Sequence, residues 1–185
     1  MRLFLRHLLP ILRLQRRSFS IYVIEQLGSE LFNRAALQNV GFVESLVDDP
    51  TIDCFLFHDV DLLVEDDRHP YACDEDAPVH LAPFVDKFRY RLPFNNPASF
   101  GGAVALTRRQ FLDVNGNSNS YFGWGGEDDD LAARLKAKGL RIKRADRDDA
   151  DIAAAASNSA NAANAVASAK TAGHSSNPTV ASHIG

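Results

Sequence analysis

Two acidic motifs carry the chemistry this sequence could do. In the first, Asp59-Val60-Asp61 follows the apolar run Cys54-Phe55-Leu56-Phe57, so two carboxylates fall just past what reads as a buried strand. Carboxylates placed there suit a hard divalent cation, which prefers oxygen ligands. In the second, Tyr121-Phe122-Gly123-Trp124-Gly125-Gly126 runs directly into Glu127-Asp128-Asp129-Asp130. Adjacent carboxylates repel one another, and one held between the others can have its pKa raised enough to act as a base. An acidic run also suits the first turn of a helix, and residues 131–138 read as a helix closed by Gly139. A capping turn, however, needs neither the paired glycines nor the indole. Together the two motifs suggest metal-assisted group transfer. An EF-hand is excluded, because Leu63 and Val64 stand where that loop needs an oxygen ligand and a glycine.

The elements that must position these motifs alternate between strand and helix, which favours an α/β domain with a mostly parallel sheet. Residues 3–14 are apolar but interrupted by Arg6, His7, Pro10 and Arg13, too short to span a bilayer, and read as an amphipathic surface helix. Residues 21–24 read as a first strand. Over residues 30–47, Leu31, Ala35, Val40, Val43, Leu46 and Val47 recur near helical spacing, and Asp48-Asp49-Pro50 ends the pattern. Residues 54–57 form the next strand, which puts Asp59 and Asp61 at its carboxyl end, where open α/β sheets bind ligands. Residues 102–106 read as another strand, and Thr107 with Gln110 makes a capping-box pattern for a short helix ending at Asn115-Gly116.

A chain of 185 residues, 45% hydrophobic, can bury one sizeable core. Its net charge of −4 and scattered Arg13, Arg16 and Arg17 give no basic face for nucleic acid. Cys54 and Cys73 flank the first acidic motif, compatible with one disulfide in an oxidising lumen or with two unpaired thiols. From about residue 150 the composition shifts to Ala, Ser and Asn, and no Phe, Tyr or Trp follows Trp124. The expected organisation is a domain over 1–149 and a low-complexity, disordered tail over 150–185.

The segments Phe57-His58-Asp59-Val60-Asp61-Leu62 and Trp124-Gly125-Gly126-Glu127-Asp128-Asp129-Asp130 resemble the signature motifs of the β-1,4-galactosyltransferase family. Ile21-Tyr22-Val23-Ile24-Glu25-Gln26, Leu31-Phe32-Asn33-Arg34-Ala35, Asn39-Val40-Gly41-Phe42, Val85-Asp86-Lys87-Phe88 and Phe100-Gly101-Gly102 look like further family blocks in the family's order. The resemblance runs from about Leu3 to Arg144. It implies a GT-A-like nucleotide-diphospho-sugar transferase with a mixed, mostly parallel sheet flanked by helices. The implied reaction is inverting transfer of galactose from UDP-galactose to a terminal GlcNAc-like acceptor of glycoproteins or glycolipids, with Mn²⁺ as cofactor. A truncated, catalytically incompetent domain that binds sugar or nucleotide is the alternative. A metal-dependent phosphodiesterase fits less well, since that chemistry wants more ligands than Asp59 and Asp61 supply.

The resemblance also implies roles. Phe32, Asn33, Arg34, Asp59, Val60, Asp61, Lys87 and Trp124 would bind the donor, with Asp61 ligating the metal and Lys87 reaching the diphosphate. Asp128 would be the catalytic base, with Glu127 beside it, and Gly126, Glu127, Asp128 and Asp129 would hold the acceptor. His58 is expected to pack or face solvent. A Cys54–Cys73 disulfide and a type II Golgi protein are implied, the membrane anchor and stem being absent from this chain. The family's arginine-bearing donor motif upstream and its metal-binding histidine downstream are also absent, and His174 and His183 lie in low-complexity sequence that does not replace the latter. Residues 94–99 are longer than the usual segment and lack its tyrosines, and Ser99 stands near a position that restricts the donor to galactose, so donor identity is less firmly implied than reaction class.

Overall fold

One strand, β3 (Ala103–Thr107), organises the molecule, because its alternate side chains feed two different cores. The computed structural model describes residues 1–93, 96 and 98–144. On one face Ala103 and Ala105 meet Phe4, Leu8 and Leu12 of helix α1 (Arg2–Leu14), together with Tyr71 and Leu81. On the other face Val104 and Leu106 pack with Phe42 of α2 (Arg34–Asp48), Phe55 of β1 (Cys54–His58), Phe111 of α3 (Arg108–Asp113), and Leu131 and Leu135 of α4 (Glu127–Ala137). The result is a three-layer arrangement of helix, sheet and helices.

The sheet has the order β1-β3-β2-β4, completed by the short strands β2 (Val79–His80) and β4 (Lys143–Arg144). It is mixed and flanked by helices, as expected, but the parallel share is smaller. Among the described residues only β2 with β4 is parallel, while β1 and β2 both run antiparallel to β3. The register sets Phe57 opposite Val104 and His58 opposite Ala103, so β1 ends beside the start of β3.

Two sequence expectations are corrected. Residues 21–24 form no strand, because no neighbour among the described residues supplies a ladder for their backbone groups. They lie along α2 instead: the Tyr22 hydroxyl donates to Asp48 Oδ2 at 2.6 Å, and a Cβ on Gly41 would meet Ile24 Cγ1 at 3.0 Å. Helix α2 starts at Arg34 and not near residue 30, because the Asn33 side chain accepts from Ala36 N at 2.9 Å and caps it there. Its buried face is Ala35, Phe42 and Ser45, whereas Val40, Val43 and Val47 are exposed.

Other expectations hold. The Thr107–Gln110 capping box forms in both directions, with bonds of 2.9 and 3.2 Å. Helix α1 buries one face and continues through Pro10, which sits on its exposed side along with Arg6, the residue whose carbonyl loses a partner. The half of the sheet bearing the first acidic motif is fastened by a Cys54–Cys73 disulfide, Cα–Cα 5.6 Å, and by Gln15, whose amide donates to His69 O at 2.8 Å and accepts from Tyr71 N at 3.0 Å. The proposed end of the domain near 149, the segment 150–185, His174, His183, and Phe94, Asn95 and Pro97 lie outside the described residues.

Candidate functional site

Two helix N-termini converge beside the end of β1, and Arg34 joins them. Asn33 fixes where α2 begins, which makes Arg34 its first residue. From there the guanidinium donates through Nε to Asp59 Oδ1 at 2.7 Å, with Nη2 also 2.7 Å away, and Nη1 reaches Glu127 Oε1 at 3.4 Å. One cation thus links the strand-end motif to the acidic run on α4. All three side chains are partly buried, at 21% exposure for Arg34, 35% for Asp59 and 14% for Glu127, so solvent screens the pairs only in part.

The loop Phe100-Gly101-Gly102 lies between the motifs and touches both. Gly102 O accepts from Asp59 N at 2.8 Å, and any side chain on Gly101 would overlap Asp128 Oδ2. Gly102 has φ +76, and a Cβ there would stand 2.7 Å from Leu62 Cδ1. Glycines are therefore required here by close approach on two sides.

The acidic run begins at Gly126, whose φ of +95 caps α4 and whose Cβ position is occupied to within 2.9 Å by the Tyr121 ring. All four carboxylates sit in the first turn, at the positive end of the helix dipole. Each has a different neighbour. Glu127 meets Arg34; Asp128 accepts from Asp129 N at 2.9 Å through Oδ1 and rests its other oxygen against Gly101. Asp129 accepts from Asn96 Nδ2 at 3.2 Å, and burial, followed by the Asp128 charge, raises its carboxyl above the usual range while Asn96 pulls it down. Asp130 pairs with Arg134 Nε one turn on, at 2.8 Å, and Arg134 also donates to Val114 O at 2.6 Å and to Gly116 O.

The remaining sequence candidates divide. Phe32 is half exposed, and its carbonyl accepts from Gly123 N at 2.7 Å, tying the glycine-rich loop to the head of α2. Asn33 is buried: its oxygen caps α2 and its amide donates to Asn119 O at 2.8 Å, so its polar atoms serve the scaffold. Asn39 extends that clasp to Asn117 O and Asn119 Oδ1, both at 2.8 Å. Val60 and Asp61 are exposed at the strand end, and Trp124 is 85% exposed on the loop. Lys87 lies on a 3-10 turn, Asp86–Phe88, with its Nζ 5.2 Å from the Phe88 ring centre, and no described hydrogen bond joins it to the Arg34 cluster. An open cleft of about 370 Å³ lined by Asp53, Glu75, Arg108 and Arg109 lies at the opposite end of β1 and takes no part in this arrangement.

His58 packs, its Nδ1 2.7 Å from Asp59 O, its Nε2 3.0 Å from the Tyr71 hydroxyl, and its ring 4.8 Å from that of Phe4. Burial lowers its pKa. Two residues that sequence reasoning passed over are Asn96, which touches Asp129, and His80, buried beneath Gly101. The only sequence signal for His80 was a histidine inside the short apolar stretch Val79-His80-Leu81.

Comparison with known proteins decides what this arrangement belongs to. Residues 1–74 match the family model described as the N-terminal region of glycosyl transferase group 7, and residues 79–155 match the N-terminal domain of galactosyltransferase. β-1,4-galactosyltransferase 2 of Cricetulus griseus is 51% identical over 146 residues, which are 79% of this chain and 39% of that protein. β-1,4-galactosyltransferase 3 of Homo sapiens is 50% identical over 144 residues, 78% of this chain and 36% of that protein. The chain belongs to the β-1,4-galactosyltransferase family.

The fold agrees with this membership. The catalytic domain of Drosophila β1,4-galactosyltransferase 7, solved with xylobiose, superposes with a TM-score of 0.67 at 34% identity, covering 76% of this chain and 57% of that domain. A mutant of that enzyme, solved with manganese, UDP-Gal and xylobiose, matches equally well. The chain therefore spans about two fifths of the length of the curated galactosyltransferases it matches. No helix among its described residues is long and apolar enough to cross a membrane.

Proposed function

We propose that this chain carries the donor-end and acceptor-end motifs of an inverting galactosyltransferase that moves galactose from UDP-galactose to a terminal GlcNAc-like acceptor. The observation that supports this most is the Arg34 bridge, which holds Asp59 and Glu127 in one surface although they lie in separate motifs. Asp59, Val60 and Arg34 would face the nucleotide, Lys87 the diphosphate, and the exposed Trp124 indole would stack on a sugar face. Phe32 lies beside this surface, and Asn33 acts through the position it gives Arg34.

In the proposed reaction an acceptor hydroxyl oxygen bonds to the anomeric carbon from the side opposite the leaving group. The bond from that carbon to the UDP oxygen breaks with its electron pair, and UDP departs. Asp128 accepts the hydroxyl proton, while Gly126, Glu127 and Asp129 frame the acceptor. A single displacement inverts the anomeric centre. The family relative solved with manganese and UDP-Gal suggests Mn²⁺ as cofactor. The described residues contain no group of three His, Cys, Asp or Glu side chains that could hold a metal ion, and Asp59 is engaged by Arg34. They fit a cation held by the Asp61 carboxylate together with donor diphosphate oxygens and water, the mode in which a hard cation uses one or two carboxylates plus substrate phosphate. Bound there, the metal would neutralise charge on the leaving diphosphate. The disulfide supports an oxidising compartment, and we place the protein in the Golgi lumen on that ground and on family membership.

One other reading is a domain that binds nucleotide or sugar without catalysis, in line with the single pairing of Asp59 to Arg34 and of Glu127 to the same cation among the described residues. Following UDP release from UDP-galactose, with and without GlcNAc and across a Mn²⁺ titration, separates the two. Saturable, acceptor-dependent release supports transfer. UDP binding by calorimetry with no release supports the second reading.

A further inference from the structure

Beneath the proposed base lies a buried histidine that the reaction does not touch. His80 is fully buried on β2, opposite Val104 on one side and Arg144 on the other. Its Nε2 is 2.9 Å from Gly101 O. A carbonyl oxygen only accepts, so Nε2 carries the proton and Nδ1 is bare. Nδ1 has no partner among the described residues. The ring stands edge-on to Phe100, 5.6 Å between centroids, and Arg144 Nη2 donates to Ser99 O at 2.8 Å. The two carbonyls flanking Phe100 are thus held from the sheet side, one by each strand's side chain. On the opposite side of the same loop, Gly101 abuts Asp128 Oδ2 so closely that no side chain fits between them.

We infer that His80 is a positioning residue for Asp128, acting through the Gly101 carbonyl. The inference rests on the reading of Asp128 as the base. A backbone atom, and not a movable side chain, bounds the Asp128 carboxylate, so a shift of the loop is transmitted to it directly. A leucine would fill much the same volume without burying a bare ring nitrogen, which costs free energy when unpaired. What the imidazole adds is the Nε2–H donor to Gly101. Burial lowers the His80 pKa to about 4, which keeps the ring neutral and this single-donor form in place at ordinary pH. Misplacing a reacting group by about 1 Å can cost on the order of 100-fold in rate, so a small loop displacement is sufficient to matter.

The test compares His80→Leu, which removes the donor, with His80→Gln, whose amide nitrogen can reach the same carbonyl. In the full-length enzyme His80→Leu should lower kcat by roughly 10- to 100-fold with the donor KM little changed, and His80→Gln should recover most of it. In an Asp128→Asn background His80→Leu should cost no further turnover, because the group it positions is already gone. An equal loss in both backgrounds, or no recovery with Gln, overturns the inference. Should His80→Leu not fold, Gly101→Ala displaces the same carboxylate from the other side and should show the same dependence on Asp128. A second readout needs no activity. The Asp129 amide donates to Asp128 Oδ1, so its NMR resonance reports where that carboxylate sits. It should move in His80→Leu and stay near the parent position in His80→Gln; an unmoved resonance in His80→Leu also overturns the inference. A parent enzyme that transfers no galactose would sink the proposed function and leave the amide measurement to decide this one.

Discussion

The two acidic motifs look alike in sequence and are used differently in the structure. Asp59-Val60-Asp61 sits on a strand end, where one carboxylate is held by Arg34 and the other stands exposed. Glu127-Asp128-Asp129-Asp130 sits on a helix, where consecutive side chains point about 100° apart, and so each carboxylate meets a different neighbour. Asp130 is turned back along α4 to Arg134, Glu127 across to Arg34, Asp129 to Asn96, and Asp128 to the glycine loop. A run of four acids is thus not a cluster of four equivalent groups. The helix sorts them, and only the geometry of each contact tells a scaffold carboxylate from one placed for chemistry.

The contrast between the two motifs can be measured. The largest effect on stability should come from acid, acting under the second motif. His80 has its pKa lowered to about 4 from an ordinary 6.5 by burial. Between those values the unfolded chain binds a proton that the native state refuses, so the His80 contribution to stability should fall as pH drops from about 6.5 to about 4 and then level off. At about 1.4 kcal/mol per pH unit the loss is roughly 3 kcal/mol. Urea unfolding across that range should show it, and His80→Gln should reduce the slope to the part that His58 and His69 supply, since burial lowers their pKa as well. No pH dependence in the parent would contradict a buried neutral ring.

Next comes the disulfide under the first motif. Cys54 and Cys73 are 19 residues apart, and the chain-entropy model gives about 3 kcal/mol for closing such a loop. Replacing both by serine should lower the unfolding midpoint accordingly, while thiol labelling of the denatured, unreduced parent should find no reactive cysteine. Arg34→Gln touches both motifs and should cost about 1–2 kcal/mol, because it leaves Asp59 and Glu127 facing each other without their cation. A neutral result would mean that solvent already screens the bridge. The smallest effect belongs to Asp130→Asn, about 0.5 kcal/mol for a single pair one helical turn apart.

Much of this was legible in the sequence because it rests on local rules. The apolar run before Asp59 predicted β1 and its strand-end carboxylates, and the Thr107–Gln110 spacing predicted the cap of α3. Family motifs named Arg34, Asp59 and Glu127, and the structure brings these three side chains together. What failed depended on neighbours that a local pattern does not contain. Residues 21–24 have strand-forming side chains and no described strand beside them, and the apolar spacing of α2 extends back to Leu31 although the Asn33 cap starts the helix at Arg34. His80 was missed for a related reason: its role comes from a carbonyl that β2–β3 pairing brings above it.

The most direct test measures acceptor-dependent UDP release from UDP-galactose by the protein and by two variants of the same acidic run, Asp128→Asn and Asp130→Asn. The structure separates these neighbours, so Asp128→Asn should lower turnover by roughly two to four orders of magnitude with UDP binding nearly intact, and Asp130→Asn should stay within a few-fold of the parent. Parental turnover in Asp128→Asn, or an equal loss in both variants, would contradict it.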